Sequence, residues 1–380
     1  MANMTTSQMR RDPLTPFPWY RAMRTSSPVV QDPNYGSWQV FSYADVQRVL
    51  SDFEYFSSRI AGGDASPISN SLIGMDPPRH RQLRTLVTQA FTPRAVESMA
   101  PRIRAITDEL LDQVQAQGRF DAVTDLAIPL PVIVIAELLG IPSSDRAQFK
   151  LWSDDITNTN SMGGGQQEMA AYFFRFVEER RREPRDDLVS ALLRAEVDGQ
   201  QLNLTELLGF CVLLLVAGNE TTTNLIGNAL LCFLEDSPGT IEELAAQPDL
   251  LPGAIEEVLR FRSPVQCMFR VTAQPTELAG QQLQPGQSVL AWIGSANRDE
   301  AVFDNPDRFD IRRSPNKHIA FGHGPHFCLG APLARLEARI VLEAVLRRLR
   351  NLRRVPDAPL EPQDSFIVYG VKALPMTFDR

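Results

Sequence analysis

Apolar residues recur at helical spacing over most of this chain of 380 residues. Side chains at positions i, i+3, i+4 and i+7 share one face of a helix, so this pattern predicts amphipathic helices. The segments that show it are residues 92–117, 130–139, 166–182, 186–197, 204–233, 241–261 and 333–349. The chain is therefore predicted to be mainly α-helical.

Strand signals are few and short. Residues 37–41 and 288–293 have the composition of strands, and Pro285 and Gly286 suit a turn before the second of them. Residues 366–371 are a further candidate strand. The β part of the fold is therefore predicted to be small.

The domain organisation follows from the absence of an evident linker. Length alone would suggest roughly two or three domains, but no Pro-, Gly- or Ser-rich stretch divides the chain. We therefore expect a single domain over residues 1–380. Residues 1–24 are polar and rich in Arg and Pro, and they are expected to form a poorly ordered N-terminal extension.

The segment 204–233 is apolar on nearly all sides through its first half. A helix of about 30 residues is roughly 45 Å long, so this one can cross a domain. Its apolar run is interrupted at residues 217–223, which read Ala-Gly-Asn-Glu-Thr-Thr-Thr. Gly and Thr are poor helix formers, and Thr hydroxyls can bond back to the preceding turn. We expect the helix to loosen there, as helices often do at functional sites; the alternative is that it surfaces into solvent.

Charge and composition exclude some functions. The net charge is −8 and the isoelectric point is near 5.2, which argues against nucleic acid as a partner because a phosphate-binding face needs clustered excess base. The four cysteines do not form a disulfide framework and suit a reducing cytosol. The N-terminus has no apolar signal region, and the longest apolar run, 207–217, is too short to cross a bilayer. A cytoplasmic protein without a membrane partner is expected.

The most informative segment is residues 321–330, which read Phe-Gly-His-Gly-Pro-His-Phe-Cys-Leu-Gly and precede an apparent helix. Cys328 would lie near the positive end of that helix, which favours the thiolate. The glycines allow tight turns and let a flat ligand approach. His326 could donate a proton to an anionic group of that ligand. A thiolate in such a frame is suited to a metal, and heme iron is the flat metal-bearing partner that needs this clearance.

Cys328 has two alternative interpretations. A lone intracellular cysteine is usually a small buried hydrophobe. Zinc is the second alternative, because His318, His323 and His326 lie near this cysteine and both residue types bind zinc. The spacing lacks the paired ligands of structural zinc sites, and Gly-Pro between the histidines suits no helix, so heme is the better interpretation.

The segment resembles the heme-ligand loop of the cytochrome P-450 monooxygenases. It matches their pattern at six fixed positions: Phe321, Gly322, Gly324, His326, Cys328 and Gly330. From about residue 28 onward, the order of elements also resembles the P-450 fold, a helical prism with a small β region. The resemblance, closest to the soluble bacterial type, implies heme b between the long central helix and the cysteine loop, with Cys328 as the axial iron ligand.

The resemblance assigns roles to further residues. Ala217-Gly218-Asn219-Glu220-Thr221 matches the family's oxygen-binding motif, which implies that Thr221 holds a water by hydrogen bonding and that Glu220 relays protons from solvent. Glu257 and Arg260 match the family's Glu-x-x-Arg pair. Since residues three apart share a helix face, they can form an ion pair, and we interpret it as support for the fold.

A heme also needs partners for its two propionates. His80 and Arg84 follow Asp76-Pro77-Pro78 and would lie one turn apart on a helix, as in the matching family segment. Arg270 matches a further propionate-binding arginine, and His326 would complete the set of donors. Without the other motifs, an ordinary basic helix face would be the simpler interpretation of His80 and Arg84.

The substrate pocket can be placed only by resemblance to the family. The residues expected to line it are Leu213, Val216, Ala217, Val265, Gln266, Ile367 and Val368. They are largely apolar, so a lipophilic terpenoid, steroid, fatty acid or polyketide fits best. The implied reaction is hydroxylation or epoxidation with O2.

Electrons for that reaction must come from another protein. No Gly-x-Gly-x-x-Gly motif follows a strand, so no flavin or nicotinamide domain is expected. A ferredoxin with its ferredoxin reductase is the expected source, and Arg81 and Arg335 could steer it. A peroxide-driven hydroxylase and a non-enzymatic heme sensor are the alternatives. Glu220 and Thr221 count against the first, and the absence of a visible signalling domain counts against the second.

Overall fold

The computed structural model describes residues 12–59, 71–145, 147–149, 151–152 and 164–379, and α-helices dominate this part of the chain. They are α1 Phe17–Ser26, α2 Tyr43–Ser51, α3 Arg79–Ala90, α4 Pro93–Ser98, α5 Ala100–Gln115, α6 Pro129–Leu139, α7 Gly164–Arg182, α8 Leu188–Arg194, α9 Leu204–Leu231, α10 Thr240–Ala246, α11 Leu251–Phe261, α12 Ile293–Ala296 and α13 Ala331–Arg348. Short π-helical turns occupy Ala122–Ala127 and Cys232–Asp236. The predicted mainly α class is confirmed.

The strands form three small sheets. They are β1 Val29–Gln31, β2 Trp38–Val40, β3 Phe56–Ser57, β4 Arg119–Asp121, β5 Met268–Thr272, β6 Thr276–Leu278, β7 Gln281–Leu283, β8 Ser288–Ala291, β9 Arg350–Arg354 and β10 Pro375–Asp379. The largest sheet has the order β1-β2-β8-β5-β3, in which β2 and β8 are parallel and the other pairs are antiparallel. The other two sheets have the orders β4-β10-β9 and β6-β7.

The predicted elements differ from the observed ones mainly where proline intervenes. The predicted helix 241–261 is two helices, α10 and α11, because Pro248 and Pro252 cannot continue an α-helical ladder. The predicted strands 37–41 and 288–293 are confirmed as β2 and β8. The predicted strand 366–371 is wrong, since it contributes only isolated bridges to the described residues, Val368 with Val265 and Val371 with Pro362.

The N-terminal helix corrects a further expectation. Trp19, Tyr20 and Met23 of α1 are buried, and the Trp19 ring packs edge-on against Phe41 and Trp292 at 5.2 Å each. Residues 1–11 lie outside the described part of the chain. The prediction of a poorly ordered extension over residues 1–24 is therefore wrong for residues 17–24, because the aromatic face of α1 outweighs the polar composition around it.

Helix α9 is the centre of the largest hydrophobic core, where it packs against α6 and α13. It begins with a capping box formed by Asn203 and Glu206. Its α-helical pattern continues unbroken through residues 217–223, so the predicted loosening there is wrong. The Thr221 hydroxyl does bond back to the Ala217 carbonyl at 2.7 Å, without breaking the helix.

Two described segments, Ala122–Leu139 and Leu204–Asp236, are long and apolar enough to cross a membrane. Both are longer than the uninterrupted apolar run at residues 207–217, because isolated polar residues interrupt them. By residue count, 61% and 44% of their most apolar stretches are buried inside the protein. Packing of α6 and α9 in the core accounts for this apolar character.

Glu257 and Arg260 form the predicted ion pair, with an Nε–Oε2 distance of 2.8 Å and both side chains fully buried. Arg260 also donates to the carbonyl oxygens of Asn297 and Pro306, and Glu257 accepts from the Arg313 guanidinium. Removing one member of such a pair typically costs about 3–5 kcal/mol, because the other charge stays buried. The pair anchors residues 297–313, the connector that leads to the Cys328 loop.

A second buried acid, Glu337 of α13, has no comparable partner. Its Oε2 atom has no hydrogen bond within the described residues, and burial raises the pKa of its carboxyl to about 8. Folding then favours the protonated form. The contribution of Glu337 to stability is present below its ordinary pKa of 4.5 and is lost as the pH rises toward 8.

We expect Glu337→Gln to weaken this pH dependence. Between about pH 5 and pH 8, the stability difference between variant and parent should shift in favour of the variant by about 2–4 kcal/mol, less than the full pKa shift implies. Denaturant unfolding at a series of pH values measures it. Parallel pH profiles for both proteins would contradict the assignment.

Candidate active site

The Cys328 loop is shaped by its own main chain. The Cys328 amide donates to the Phe321 carbonyl at 2.8 Å, and Gly322 and Gly324 have φ values of +75° and +71°. A Cβ at Gly324 would lie 2.6 Å from the Ser51 Cα, so packing against the end of α2 requires glycine there. At Gly330, by contrast, a Cβ would make an ordinary contact of 3.9 Å with the Cys328 sulfur. The loop thus presents the sulfur just before α13.

Cys328 differs from the other cysteines in its accessibility. It is exposed, whereas Cys211, Cys232 and Cys267 are buried. Protein nevertheless surrounds the thiol closely, and this burial raises its pKa. The Gly330 amide at the start of α13 and the Arg84 guanidinium act in the opposite direction. The helix start favours the thiolate as the sequence predicted, but burial outweighs it when no cation is bound to the sulfur.

Four nitrogen donors converge beside this loop: His80, Arg84, Arg270 and His326. The rings of His80 and His326 are 4.2 Å apart between centroids. Arg270 lies on β5 and is 5% exposed, and its Nη1 donates to the Phe269 carbonyl at 2.7 Å. His80 and Arg84 also line a cleft of about 440 Å³ that extends to Pro325 of the loop. The structure therefore brings together all four predicted propionate ligands.

The cluster carries excess positive charge. Burial, followed by the charge of Arg84, lowers the pKa of His80 to about 4. Burial, followed by His80, lowers that of His326 to about 3. Burial lowers the pKa of Arg270 to about 10, and Asp76 is the one carboxylate that opposes this change. Both histidines are therefore neutral near pH 7, and the positive charge of the cluster comes from Arg84 and Arg270, which Asp76 offsets in part.

An anionic ligand would satisfy this arrangement. The His80 Nε2 atom is buried and has no hydrogen-bond partner in the described part of the protein. Neither Arg84 nor Arg270 forms an ion pair with a described carboxylate at 4 Å or less. Two carboxylates on the edge of a flat, iron-bearing ring, with Cys328 as the iron ligand, would match these donors. The residues present therefore fit heme.

The zinc alternative has no such support. The described residues contain no group of three His, Cys, Asp or Glu side chains that could hold a metal ion. His318 instead lies 2.9 Å from Glu256, between its Nε2 and the Oε2 of the carboxylate. His326 lies 3.0 Å from the Ser58 hydroxyl.

One face of α9 is accessible in the middle of an otherwise buried helix. Ala217 is exposed, and Leu213, Glu220 and Thr221 are partly exposed, whereas Thr222 is buried. No hydrogen bond or ion pair within the described residues involves the Glu220 carboxylate, and burial raises its pKa. An acid whose pKa is raised toward neutrality can both accept and release a proton.

The predicted pocket residues divide into two groups. Six keep accessible surface: Leu213, Val216, Ala217, Val265, Ile367 and Val368. The prediction for Gln266 is wrong. Its side chain is buried, where Oε1 accepts from the Tyr20 hydroxyl and Nε2 donates to the Ser263 carbonyl, each at 2.6 Å. Gln266 points into the core because these two polar partners are there.

Two exposed aromatic residues were not among the predicted pocket residues. Phe269 and Phe366 are 37% and 44% exposed, and their rings are 6.0 Å apart. Phe269 precedes Arg270 and Phe366 precedes Ile367, so proximity to these residues was the available signal. Exposed aromatic rings next to these residues in the chain are further candidates for ligand contact.

Arg335 is ion-paired, and its predicted role in steering the ferredoxin stays a prediction. Its Nε and Nη2 atoms donate to the Glu256 carboxylate at 2.7 and 2.8 Å, so its charge is balanced. The guanidinium also lies 4.4 Å from the centre of the Phe321 ring. Arg81 is exposed, and its steering role stays a prediction.

Comparison with known proteins decides the family. The cytochrome P450 family pattern matches residues 242–370. Cytochrome P450 109 of Bacillus spizizenii is 44% identical over 96% of this chain and 92% of its own length. Erythromycin C-12 hydroxylase of Saccharopolyspora erythraea is 43% identical over 94% of this chain and 93% of its own length. The chain belongs to the cytochrome P450 family.

A solved cytochrome P450 has the same fold. The crystal structure of CYP109E1 from Bacillus megaterium in complex with testosterone superimposes with a TM-score of 0.89. It is 45% identical in sequence, and the match covers 96% of this chain and 99% of that one. This cytochrome P450 is therefore a monooxygenase that binds heme through a cysteine thiolate, like its bacterial relatives.

We expect Arg270→Met to accelerate heme loss by about 10–100-fold, since a hydrogen bond to a charged group contributes about 1.5–3 kcal/mol. Transfer of heme to an excess of an apo heme scavenger measures the rate. Arg104→Met, at an exposed position of α5, is the matched control. Equal rates of heme loss from the two variants would remove Arg270 from the heme site.

Proposed function

We propose that this cytochrome P450 uses O2 to hydroxylate or epoxidise a lipophilic small molecule, with electrons from a separate ferredoxin and its reductase. The observation that carries the proposal is the exposed residue Cys328 beside His80, Arg84, Arg270 and His326, where the buried His80 Nε2 atom has no hydrogen-bond partner within the described residues. The acid–alcohol pair Glu220 and Thr221, on the accessible face of α9, supports it. The catalytic domain would comprise the whole chain, residues 1–380.

The heme would be held from two directions. Cys328 would supply the axial thiolate, and His80, Arg84, Arg270 and His326 would bind the two carboxylates. The bound heme supplies O2 activation and insertion of one oxygen atom into a C–H bond, helped by electron density from the thiolate. Phe321, Gly322 and Gly324 shape the loop that presents the sulfur, and the Gly330 amide donates a hydrogen bond to that sulfur.

Glu220 and Thr221 would deliver protons. Burial raises the pKa of the Glu220 carboxyl, which favours proton uptake from solvent. The Thr221 hydroxyl donates to the Ala217 carbonyl, which leaves its oxygen lone pairs free to accept a hydrogen bond from a water. Glu220 would pass a proton along that water, and Thr221 would hold the water in place.

The substrate would contact the apolar side chains that keep accessible surface. Leu213, Val216 and Ala217 on α9 would form one wall, and the bridged residues Val265 and Val368 with Ile367 another. The relative solved with testosterone and the erythromycin C-12 hydroxylase support a steroid or polyketide. Terpenoids and fatty acids share the same lipophilic character.

The electron donor would approach near the Cys328 loop. Arg81 on α3 is exposed and lines the same cleft as Arg84 and Pro325. A small acidic ferredoxin would be attracted to this cation despite the net charge of −8. We place the protein in the cytoplasm, where the reducing environment suits its free cysteines.

Two spectra test the proposed function. The reduced protein under carbon monoxide should show the red-shifted Soret band of thiolate-ligated heme. Titration of the ferric protein with steroids, macrolides, terpenoids and fatty acids should then shift the spin state for at least one class. A purified protein that takes up no heme, or whose spectrum responds to none of these compounds, would overturn the proposal.

We expect Thr221→Ala to divert electrons from product to hydrogen peroxide. Product per electron pair should fall by about tenfold or more, because a positioned proton-transfer group contributes about 10²–10⁴ to the rate. Peroxide and product are quantified together for a turned-over substrate. Thr221→Ser keeps the hydroxyl and should retain most of the coupling; tight coupling in Thr221→Ala would contradict the assigned role.

We expect Arg81→Glu to slow electron delivery from the ferredoxin by about threefold or more at low salt. The effect should shrink as salt screens the charge. Stopped-flow reduction of the ferric protein at several ionic strengths measures it. Arg175→Glu makes the same charge change at an exposed position on α7. Identical rates for both variants at low salt would exclude Arg81 from docking.

A further inference from the structure

Two consecutive acids on α11 serve different parts of the structure. Glu257 pairs with Arg260 and holds the connector through Arg313. Glu256 turns elsewhere and binds residues on both sides of the Cys328 loop. It accepts two hydrogen bonds from Arg335, at 2.7 and 2.8 Å, and lies 2.9 Å from His318.

The two partners of Glu256 lie on opposite sides of the Cys328 loop in the chain. His318 precedes the cysteine loop and Arg335 follows it on α13, so one carboxylate joins the segment that enters the loop to the helix that leaves it. Arg335 also lies over the ring of Phe321, at 4.4 Å from its centre. The Phe321 carbonyl in turn accepts the Cys328 amide at 2.8 Å. A continuous path of contacts thus runs from Glu256 to the main chain of the cysteine.

The electrostatics agree with this geometry. Although burial acts to raise it, hydrogen bonds from Arg335 and His318 lower the pKa of Glu256 to about 2. The carboxylate is therefore ionised throughout the neutral range. The ion pair with Glu256 also holds the Arg335 guanidinium over the Phe321 ring at the start of the Cys328 loop.

We propose that Glu256 is a positioning residue for the heme thiolate, which closes the base of the Cys328 loop through His318 and Arg335. The side-chain partners of Glu256 are His318 and Arg335. The proposal rests on the proposed role of Cys328 as the iron ligand. Glu256 holds the loop so that the sulfur stays bound to the iron as a thiolate.

This role differs from partner docking in a measurable way. If Arg335 served ferredoxin docking alone, its neutralisation would change the salt dependence of electron delivery and leave the thiolate spectrum intact. We call the contacts of Glu256 with His318 and Arg335 the clamp. In the clamp, losing either Glu256 or Arg335 breaks the same ion pair. Their effects on the heme spectrum should therefore not add in the double variant.

The experiment compares Glu256→Gln, Arg335→Gln and the double variant as ferrous carbon monoxide complexes in mild urea. We expect each to lose the thiolate-type Soret band about 3–10-fold faster than the parent, the range for a half-buried charge-assisted pair. The double variant should be no faster than either single one. Glu243→Gln, which removes the Arg312 ion pair of α10, is the control and should match the parent.

The outcomes separate the two levels of the proposal. A parent protein without the thiolate-type band would defeat the proposed function itself. A parent with the band, but with equal decay in Glu256→Gln and Glu243→Gln, would overturn the clamp alone. Additive effects in the double variant would do the same. If Glu256→Gln does not fold, Arg335→Lys and Arg335→Gln decide: the clamp requires both to lose the band faster than the parent, because Lys cannot form the two-pronged contact.

Discussion

Glu257 and Arg260 form a fully buried ion pair, and the position of the Cys328 loop depends on the groups that bind this pair. A buried charge without partners is very costly, so the main-chain carbonyls and the Arg313 guanidinium that reach the pair are held firmly. These groups belong to the connector that leads into the Cys328 loop. Because they bind the buried ion pair, residues 297–313 are held in a fixed position ahead of the Cys328 loop.

The opposite situation exists beside the sulfur. There His80, Arg84, Arg270 and His326 lie together with little compensating negative charge, and the two arginines oppose protonation of both histidines. Such a cluster is costly on its own and is stabilised by a ligand with two carboxylates. Heme binding and the stability of this region should therefore be coupled, as they are whenever a ligand binds only the folded state. We propose these donors as a ligand site because Asp76 is the one carboxylate that opposes their charge within the described residues.

Local motifs made much of the site predictable. The pattern around Cys328 is continuous in sequence, and His80 with Arg84 or Glu257 with Arg260 need only the spacing of one helical turn. The helices with strong apolar periodicity were also predicted. The break at Pro248 and Pro252 within the predicted helix 241–261 was not. The interruption predicted at residues 217–223 did not occur because threonine hydroxyls bond within an intact helix and the surrounding core holds it.

The sequence by itself determined the family, the cysteine that would bind iron and the polar pair on α9, because these signals lie within short stretches of chain. Tertiary structure alone decided which side chains face each other across long separations. Gln266 turns into the core toward Tyr20, and Arg335 pairs with Glu256 and is not a free surface charge. The orientation of a side chain depends on partners that only the folded chain brings near, and no local pattern records them.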